Sequence, residues 1–229
     1  MNVALAIMVK QPAPGRVKTR LCPPLTPEQA TDLYRCFLLD KMAQVRRVAA
    51  APPYLAFTPP EAGPFFRDLS GGTFSLVPQE GRDLGERLHH LSTHLLAVGH
   101  PGVVIVDSDT PSLPDPFLVE AVERMTDRDT DAVFGPAEDG GYYLVGLRQS
   151  APAIFQRIAW STQVVLDQTL RAAAGTGLRV HLLPPWYDVD TGKDLGRLTR
   201  DLQGNGTTAR ETWAFLQGLR AGWVEEERS

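Results

Sequence analysis

Short, uncharged, β-branched runs recur along this chain, separated by stretches of helical period, and that alternation restricts its fold more than any other feature. The runs fall at 3–9, 54–57, 73–77, 103–106, 132–134, 142–147 and 178–183. The fourth, "GVVIV", carries no charge on either face, as expected of a strand covered on both sides in a parallel sheet. Helical period marks 84–98, 116–125, 163–174, 192–202 and 209–219. A further helix has the clearest start: Thr26 as N-cap, Pro27 at the first helical position, Gln29 completing a capping box, then Ala30, Leu33, Tyr34, Phe37 and Leu38 along one face. The expectation is an α/β fold, a mostly parallel sheet flanked by helices.

The 229 residues are enough for one large α/β domain. No repeat, linker or composition break divides them, so a single domain spans 1–229, with a core over about 3–202, a C-terminal helix at 209–219 and a frayed tail at 222–229. The apolar share is 43%, with no run long enough to span a bilayer. A net charge of −4 argues against broad nucleic-acid binding. The opening "MNVALAIMVK" lacks a basic leader and cleavage site, and Cys22 and Cys36 form no metal-ligand pattern. These features point to a cytoplasmic protein with small-molecule partners, engaging neither membrane nor nucleic acid. Nothing in them bears on oligomeric state.

In an open parallel sheet, ligands bind beyond the carboxyl ends of the strands, and four such ends carry unusual chemistry. After the first strand, "VKQPAPGRVKTRLCPPL" places Lys10, Arg16, Lys18 and Arg20 on a loop stiffened by prolines around Gly15, either a preorganised phosphate clamp or a solvated basic loop. It is no Walker loop, because the glycine spacing is wrong. After the fourth, "DSDTPSLP" ends the strand in Asp107 and Asp109. Residues two apart on a strand share a face, so both could address one Mg²⁺ or Mn²⁺, or they could cap the turn and the helix that follows. "FGPAEDGGYYLVGL" sets Glu138, Asp139, Gly140 and Gly141 between two strands, either a hairpin turn or acids that hold a sugar hydroxyl or take a proton. In "PPWYDVDTGKDL", Asp188 and Asp190 alternate again, and Asp190 reads equally as N-cap or ligand.

Competing constellations are weaker. His90 and His94 are four apart on a predicted helix but lack a metalloprotease glutamate and a third ligand. There is no G-x-S-x-G and no G-x-G-x-x-G after the first strand. Trp160, Trp186, Trp213 and Trp223 suit a core or interface as well as a sugar platform, with Trp160 the one kept as an acceptor-site candidate.

Taken in order, "KQPAPGRVKTRL", "GRDLGERL", "DSDTPSLP", "GPAEDGGYYLVGL", "WST" and "DVDTGKDL" resemble a bacterial family of GT-A-fold transferases described as glycosyltransferases of arsenosugar biosynthesis. More distantly they are similar to the phospholactate and molybdenum-cofactor guanylyltransferases. The resemblance implies a Rossmann-like mixed sheet of the nucleotide-diphospho-sugar transferase kind, binding a nucleotide through the loop after the first strand. It implies Lys18 and Arg20, with Lys10 and Gly15, near the phosphates, and Asp109 on a divalent Mg²⁺ or Mn²⁺ with Asp190 as a second contact. Asp107 then ligates the metal or orients the ribose, and Asp83, Gly85 and Arg87 lie near the nucleotide, the glycine admitting a flat base.

Both reactions of such folds require charge to be neutralised on a phosphate leaving group. The leading expectation is a glycosyltransferase using a nucleotide sugar and a small-molecule acceptor, with Asp139 or Glu138 as base and Gly140, Gly141, Tyr142 and Trp160 toward the acceptor. The alternative is a nucleotidyltransferase that releases pyrophosphate from a triphosphate. A third reading is a nucleotide-binding module without turnover.

Overall fold

The computed structural model describes residues 2–50, 52–205 and 208–226. Its strands are β1 (Ala4–Lys10), β2 (Tyr54–Thr58), β3 (Ser75–Pro78), β4 (Val103–Val106), β5 (Ala132–Pro136), β6 (Tyr142–Leu147) and β7 (Val180–Leu182). The helices are α1 (Pro27–Val48), α2 (Gly63–Leu69), α3 (Leu84–Ala97), α4 (Asp115–Thr126), α5 (Val165–Gly175), α6 (Gly192–Asn205) and α7 (Arg210–Glu226). All the strands join one 7-stranded sheet in the order β3-β2-β1-β4-β6-β5-β7.

β1 pairs in parallel with β2 on one side and β4 on the other, whereas β6 runs antiparallel to both β4 and β5. The sheet is therefore mixed but mostly parallel, as expected. The chain builds outward from β1 to β3 and then returns to place β4 against the other side of β1. That reversal opens a crevice at the carboxyl ends of β1 and β4, where open α/β sheets take their ligands.

Alternation along β1 assigns its two faces. Val3, Leu5, Ile7 and Val9 join a core with α1, α4, α6 and α7. Ala4 and Ala6 face the opposite layer, and with Ala56 they let Leu88, Leu91 and Leu95 of α3 approach closely. Each large side chain fully buried in these layers contributes about 1.5–3 kcal/mol.

The capping box at the start of α1 forms as read from the sequence: Thr26 Oγ1 accepts from Gln29 N at 3.2 Å, and Thr26 N donates to Gln29 Oε1 at 2.9 Å. The edge strands β3 and β7 are shorter than the apolar runs that announced them, since each pairs on one side alone. α2 went unread because its seven residues begin Gly-Pro and are too short to show a period. The last helix continues to Glu226, so the expected frayed tail is helical up to there, and 227–229 lie outside the described residues. Among the described residues no helix is long and apolar enough to cross a membrane.

Candidate active site

The loop after β1 borders the crevice and lines an open cleft of about 240 Å³ with Lys10, Arg16, Lys18, Arg20, Tyr34, Asp109 and Asp190 among others. Two backbone positions in the left-handed region shape it. Gly15 has φ +70, which a glycine adopts freely. Lys18 has φ 48, uncommon for a residue with a side chain. Lys10 Nζ ties the loop back by donating to Arg16 O at 2.8 Å.

Lys18 is the centre of the arrangement. Its ammonium sits 2.5 Å from Asp109 Oδ1 and 2.9 Å from Asp190 Oδ1, with its side chain 5% exposed and the two carboxylates 40% and 41% exposed. Burial opposes the charge, but Asp109 and Asp190 outweigh it and hold the Lys18 pKa above its ordinary value. Arg20, largely exposed, reaches to 3.7 Å from Asp190 Oδ2. The cations read as a phosphate clamp and the acids read as metal ligands thus converge on one point.

Asp190 is free to face Lys18 because Thr191 and Asp194 cap α6 instead. Asp194 Oδ2 accepts from Thr191 N at 2.8 Å and from Thr191 Oγ1 at 2.7 Å. Asp190 is therefore not the cap of α6, and its carboxylate pairs with Lys18.

Asp107 corrects the expectation that it shares an ion with Asp109. The strand ends at Val106, and the chain turns before the period of two can act. Asp107 Oδ1 accepts from Thr110 Oγ1 at 2.7 Å and from Asp109 N at 3.1 Å, which commits it to its own turn rather than to a ribose. Asp188 lies close beside it, with its Oδ1 buried and without a hydrogen-bond partner. Burial first, and then the neighbouring aspartates, hold both carboxyls above the usual carboxylate range. Val189 N donates to Asp109 O at 3.0 Å and locks the two acidic segments together.

Sequence reading missed several members of this site. Tyr34, read as an apolar helix position, brings its hydroxyl 2.9 Å from Ser108 Oγ and accepts from Lys10 N at 3.2 Å. Lys41 and Gln44 lie behind the turn on the same helix, 1% and 3% exposed. Polar residues on the buried stripe of α1 were the available signal. Asp188 was noted for its spacing but not assigned a place.

The other candidates disperse. Glu138 is held by Arg197, whose two nitrogens donate at 2.6 and 3.0 Å, and the pairing holds its carboxyl below the usual range. It is therefore a poor base, and its role is to tie the turn to α6. Asp139 Oδ1 accepts from Gly141 N at 2.9 Å, and its charge acts on Asp188. Of the two proposed bases, Asp139 is the one not held in an ion pair among the described residues.

Gly140, at φ +91, has Gln163 O only 2.1 Å from where a Cβ would stand, so it admits the chain's own 160–165 loop. Gly141 closes the same turn, with Asp139 Oδ1 3.1 Å from where its Cβ would stand. Tyr142 packs edge-on against Trp160 and Phe134, in the core rather than toward an acceptor. Gly85 admits a flat ring, but the ring is the indole of Trp160, 2.6 Å from where its Cβ would be, and not a base. Trp160 is thereby corrected from acceptor platform to packing partner. Asp83 caps α3 by accepting from Glu86 N at 2.8 Å. Arg87 donates to Gly81 O at 3.2 Å and lines a separate cavity of about 270 Å³ with Glu80, His90 and His94. The side chain of Trp223 lies outside the described residues.

Residues 41–162, more than half of the chain, match the family model described as "Uncharacterized protein conserved in bacteria (DUF2064)". The chain belongs to that family. A crystal structure from Desulfovibrio desulfuricans G20, provisionally assigned as a nucleotide-diphospho-sugar transferase, is 33% identical, superposes with a TM-score of 0.90 and covers 96% of each chain. The 2-phospho-L-lactate guanylyltransferase of Methanothermobacter thermautotrophicus is 27% identical over 213 residues, 89% of this chain and 85% of its own. A manganese complex of Rv0371C from Mycobacterium tuberculosis H37Rv shares the fold at a TM-score of 0.50 and 14% identity, covering 86% of this chain and 98% of its own. The fold is that of the nucleotide-diphospho-sugar transferases, as the sequence resemblance implied.

The residues present fit a divalent cation. Asp109 and Asp190, about 40% exposed, share the single ammonium of Lys18, and beside them Asp188 Oδ1 is buried without a hydrogen-bond partner. Among the described residues no three acidic, histidine or cysteine side chains converge into a ready-made cage. The set matches the habit of Mg²⁺, which takes one or two carboxylates and completes its shell with phosphate oxygens and water.

Proposed function

We propose that this protein is a metal-dependent nucleotidyltransferase that transfers a nucleoside monophosphate from a triphosphate to a small-molecule acceptor, with release of pyrophosphate. The observation that carries the reading is Lys18 held between Asp109 and Asp190 at the β1/β4 crevice, under a loop bearing Lys10, Arg16 and Arg20. The guanylyltransferase relative, similar along most of both chains, supports this reaction over glycosyl transfer and makes guanine the first base to test.

In this reading Asp109 and Asp190 would hold Mg²⁺ or Mn²⁺ together with the triphosphate. The ion, when bound, supplies charge neutralisation on the phosphoryl oxygens. Lys18 and Arg20 meet the charge that develops on departing pyrophosphate, fixed in place by the loop beforehand. Asp139 is the candidate for taking the acceptor's proton. Two free thiols, Cys22 and Cys36, suit a reducing cytoplasm.

Glycosyl transfer remains the second reading, favoured by the assignment of the structure that is 33% identical. The products separate the two. A panel of nucleoside triphosphates and nucleotide sugars, each with Mn²⁺ or Mg²⁺, is tested by thermal shift and then by assay of released pyrophosphate or nucleoside diphosphate. Metal-dependent stabilisation by a triphosphate with pyrophosphate release supports the proposal. Stabilisation by a nucleotide sugar alone, with diphosphate release, overturns it in favour of the second reading.

A further inference from the structure

The buried stripe of α1 carries groups that a core helix does not need. Lys41 Nζ donates to Thr110 O at 2.9 Å, to Thr110 Oγ1 at 3.2 Å and to Gln44 Oε1 at 2.8 Å. Gln44 Nε2 in turn donates to Leu113 O at 2.6 Å and to Asp115 Oδ1 at 3.0 Å. Burying an ammonium is unfavourable unless it is paired and hydrogen-bonded, so apolar residues at these positions would make the plainer core. Every one of these bonds but the internal Lys41–Gln44 pair lands on the segment from Thr110 to Asp115, which follows Asp109 directly.

The connection continues into the site. Thr110 Oγ1, held by Lys41, donates to Asp107 Oδ1 at 2.7 Å, and the same oxygen accepts from Asp109 N at 3.1 Å. Thr110 is wholly buried and Ser108 is 4% exposed, so bulk solvent has little access to these bonds.

We propose that Lys41 is a positioning residue: acting through Thr110, it fixes the turn that aims Asp109 into the phosphate cavity. It touches neither nucleotide nor metal. The inference rests on the reading of Asp109 as a ligand of the metal-bound nucleotide, and the test separates the two.

Thr110→Val removes the hydroxyl at constant shape and charge, Thr110→Ser restores it, and Lys41→Met removes the ammonium. The probe is GTP, with and without Mn²⁺, titrated calorimetrically against each folded protein, or against the best-bound triphosphate of the panel. Thr110→Val is expected to weaken Mn²⁺-dependent binding at least fivefold while binding without metal stays within twofold, and Thr110→Ser to restore it. Lys41→Met weakens it likewise, and the Lys41→Met/Thr110→Val double variant is no worse than the weaker single, because the two act in series.

Loss of thermal stability in Thr110→Val with Mn²⁺-dependent binding intact would mean the network is only structural and overturns the inference. Tighter Mn²⁺-dependent binding in Lys41→Met would show the ammonium to act merely as a repelling charge, which overturns it equally. If Lys41→Met does not fold, the Thr110 pair alone decides. A wild-type protein with no Mn²⁺-dependent binding of any triphosphate removes the functional reading itself.

Discussion

The two acidic segments, Asp107–Asp109 after β4 and Asp188–Asp190 after β7, have the same spacing and split in the same way. In each, the first aspartate turns inward and the second outward. Asp107 and Asp188 are neighbours, and burial together with the surrounding aspartates holds both above the carboxylate range. Asp109 and Asp190 stand about 40% exposed on either side of Lys18. Spacing alone therefore says nothing about which carboxylate serves. What decides is where the backbone leaves the sheet and which groups wait on each side.

The comparison is broken most directly at the outer pair. Asp109→Asn is expected to abolish the metal-dependent part of nucleotide stabilisation, about 2.7 kcal/mol in the wild type at a hundred times the dissociation constant. Turnover should fall at least ~10²-fold. Undiminished metal dependence in a thermal-shift titration would return Asp109 to a structural role.

Lys18→Met sharpens the same point from the cation's side. Turnover should drop by about 10²-fold or more if, as proposed, the lysine meets the charge on the leaving group. Binding of Mn²⁺ without nucleotide should instead become tighter, because two carboxylates lose the ammonium that now neutralises them. Weaker Mn²⁺ binding in direct titration would show that the lysine assembles the ion site rather than competing for it.

The inner pair predicts a pH effect of opposite sign to that of ordinary surface carboxylates. A carboxyl whose folded pKa lies above its ordinary value of 3.8 favours folding fully below that pH and loses the contribution as pH rises through its folded pKa. The metal-free protein should accordingly lose stability from this pair on going from about pH 4 to neutrality. Asp188→Asn should flatten that slope in melts across pH, and an unchanged slope would place the strain elsewhere.

The smallest effect is expected at Glu138→Gln, which cuts the half-exposed pair with Arg197 and costs under about 1 kcal/mol. Turnover should change less than about threefold, whereas Asp139→Asn should reduce it far more. Equal losses in the two variants would remove the distinction drawn between them.

The sheet was legible because its strands are continuous apolar runs and its helices carry caps: β4 and β6 fall where the runs lie, and α1 begins at its capping box. The clustering of Lys18, Asp109 and Asp190 was legible in kind, since cations and acids at strand ends of one sheet must face a common edge. The inward turn of Asp107 was not, because a loop has no period. Gly85 and Gly140 misled for a related reason: a glycine marks close approach, but the sequence does not say whether a ligand or the chain's own Trp160 and Gln163 approaches. Lys41 was hidden by its type, because a lysine on a helix is by default a surface residue.

The contact between Lys18 and Asp190 spans 172 residues of sequence. A chain emerging from the ribosome can complete β1, its loop and β4 while that lysine still faces a single carboxylate. The second arrives only when the segment after β7 has been made and packed. The Lys18–Asp109–Asp190 cluster is in this way complete only once the chain has been made through the segment after β7.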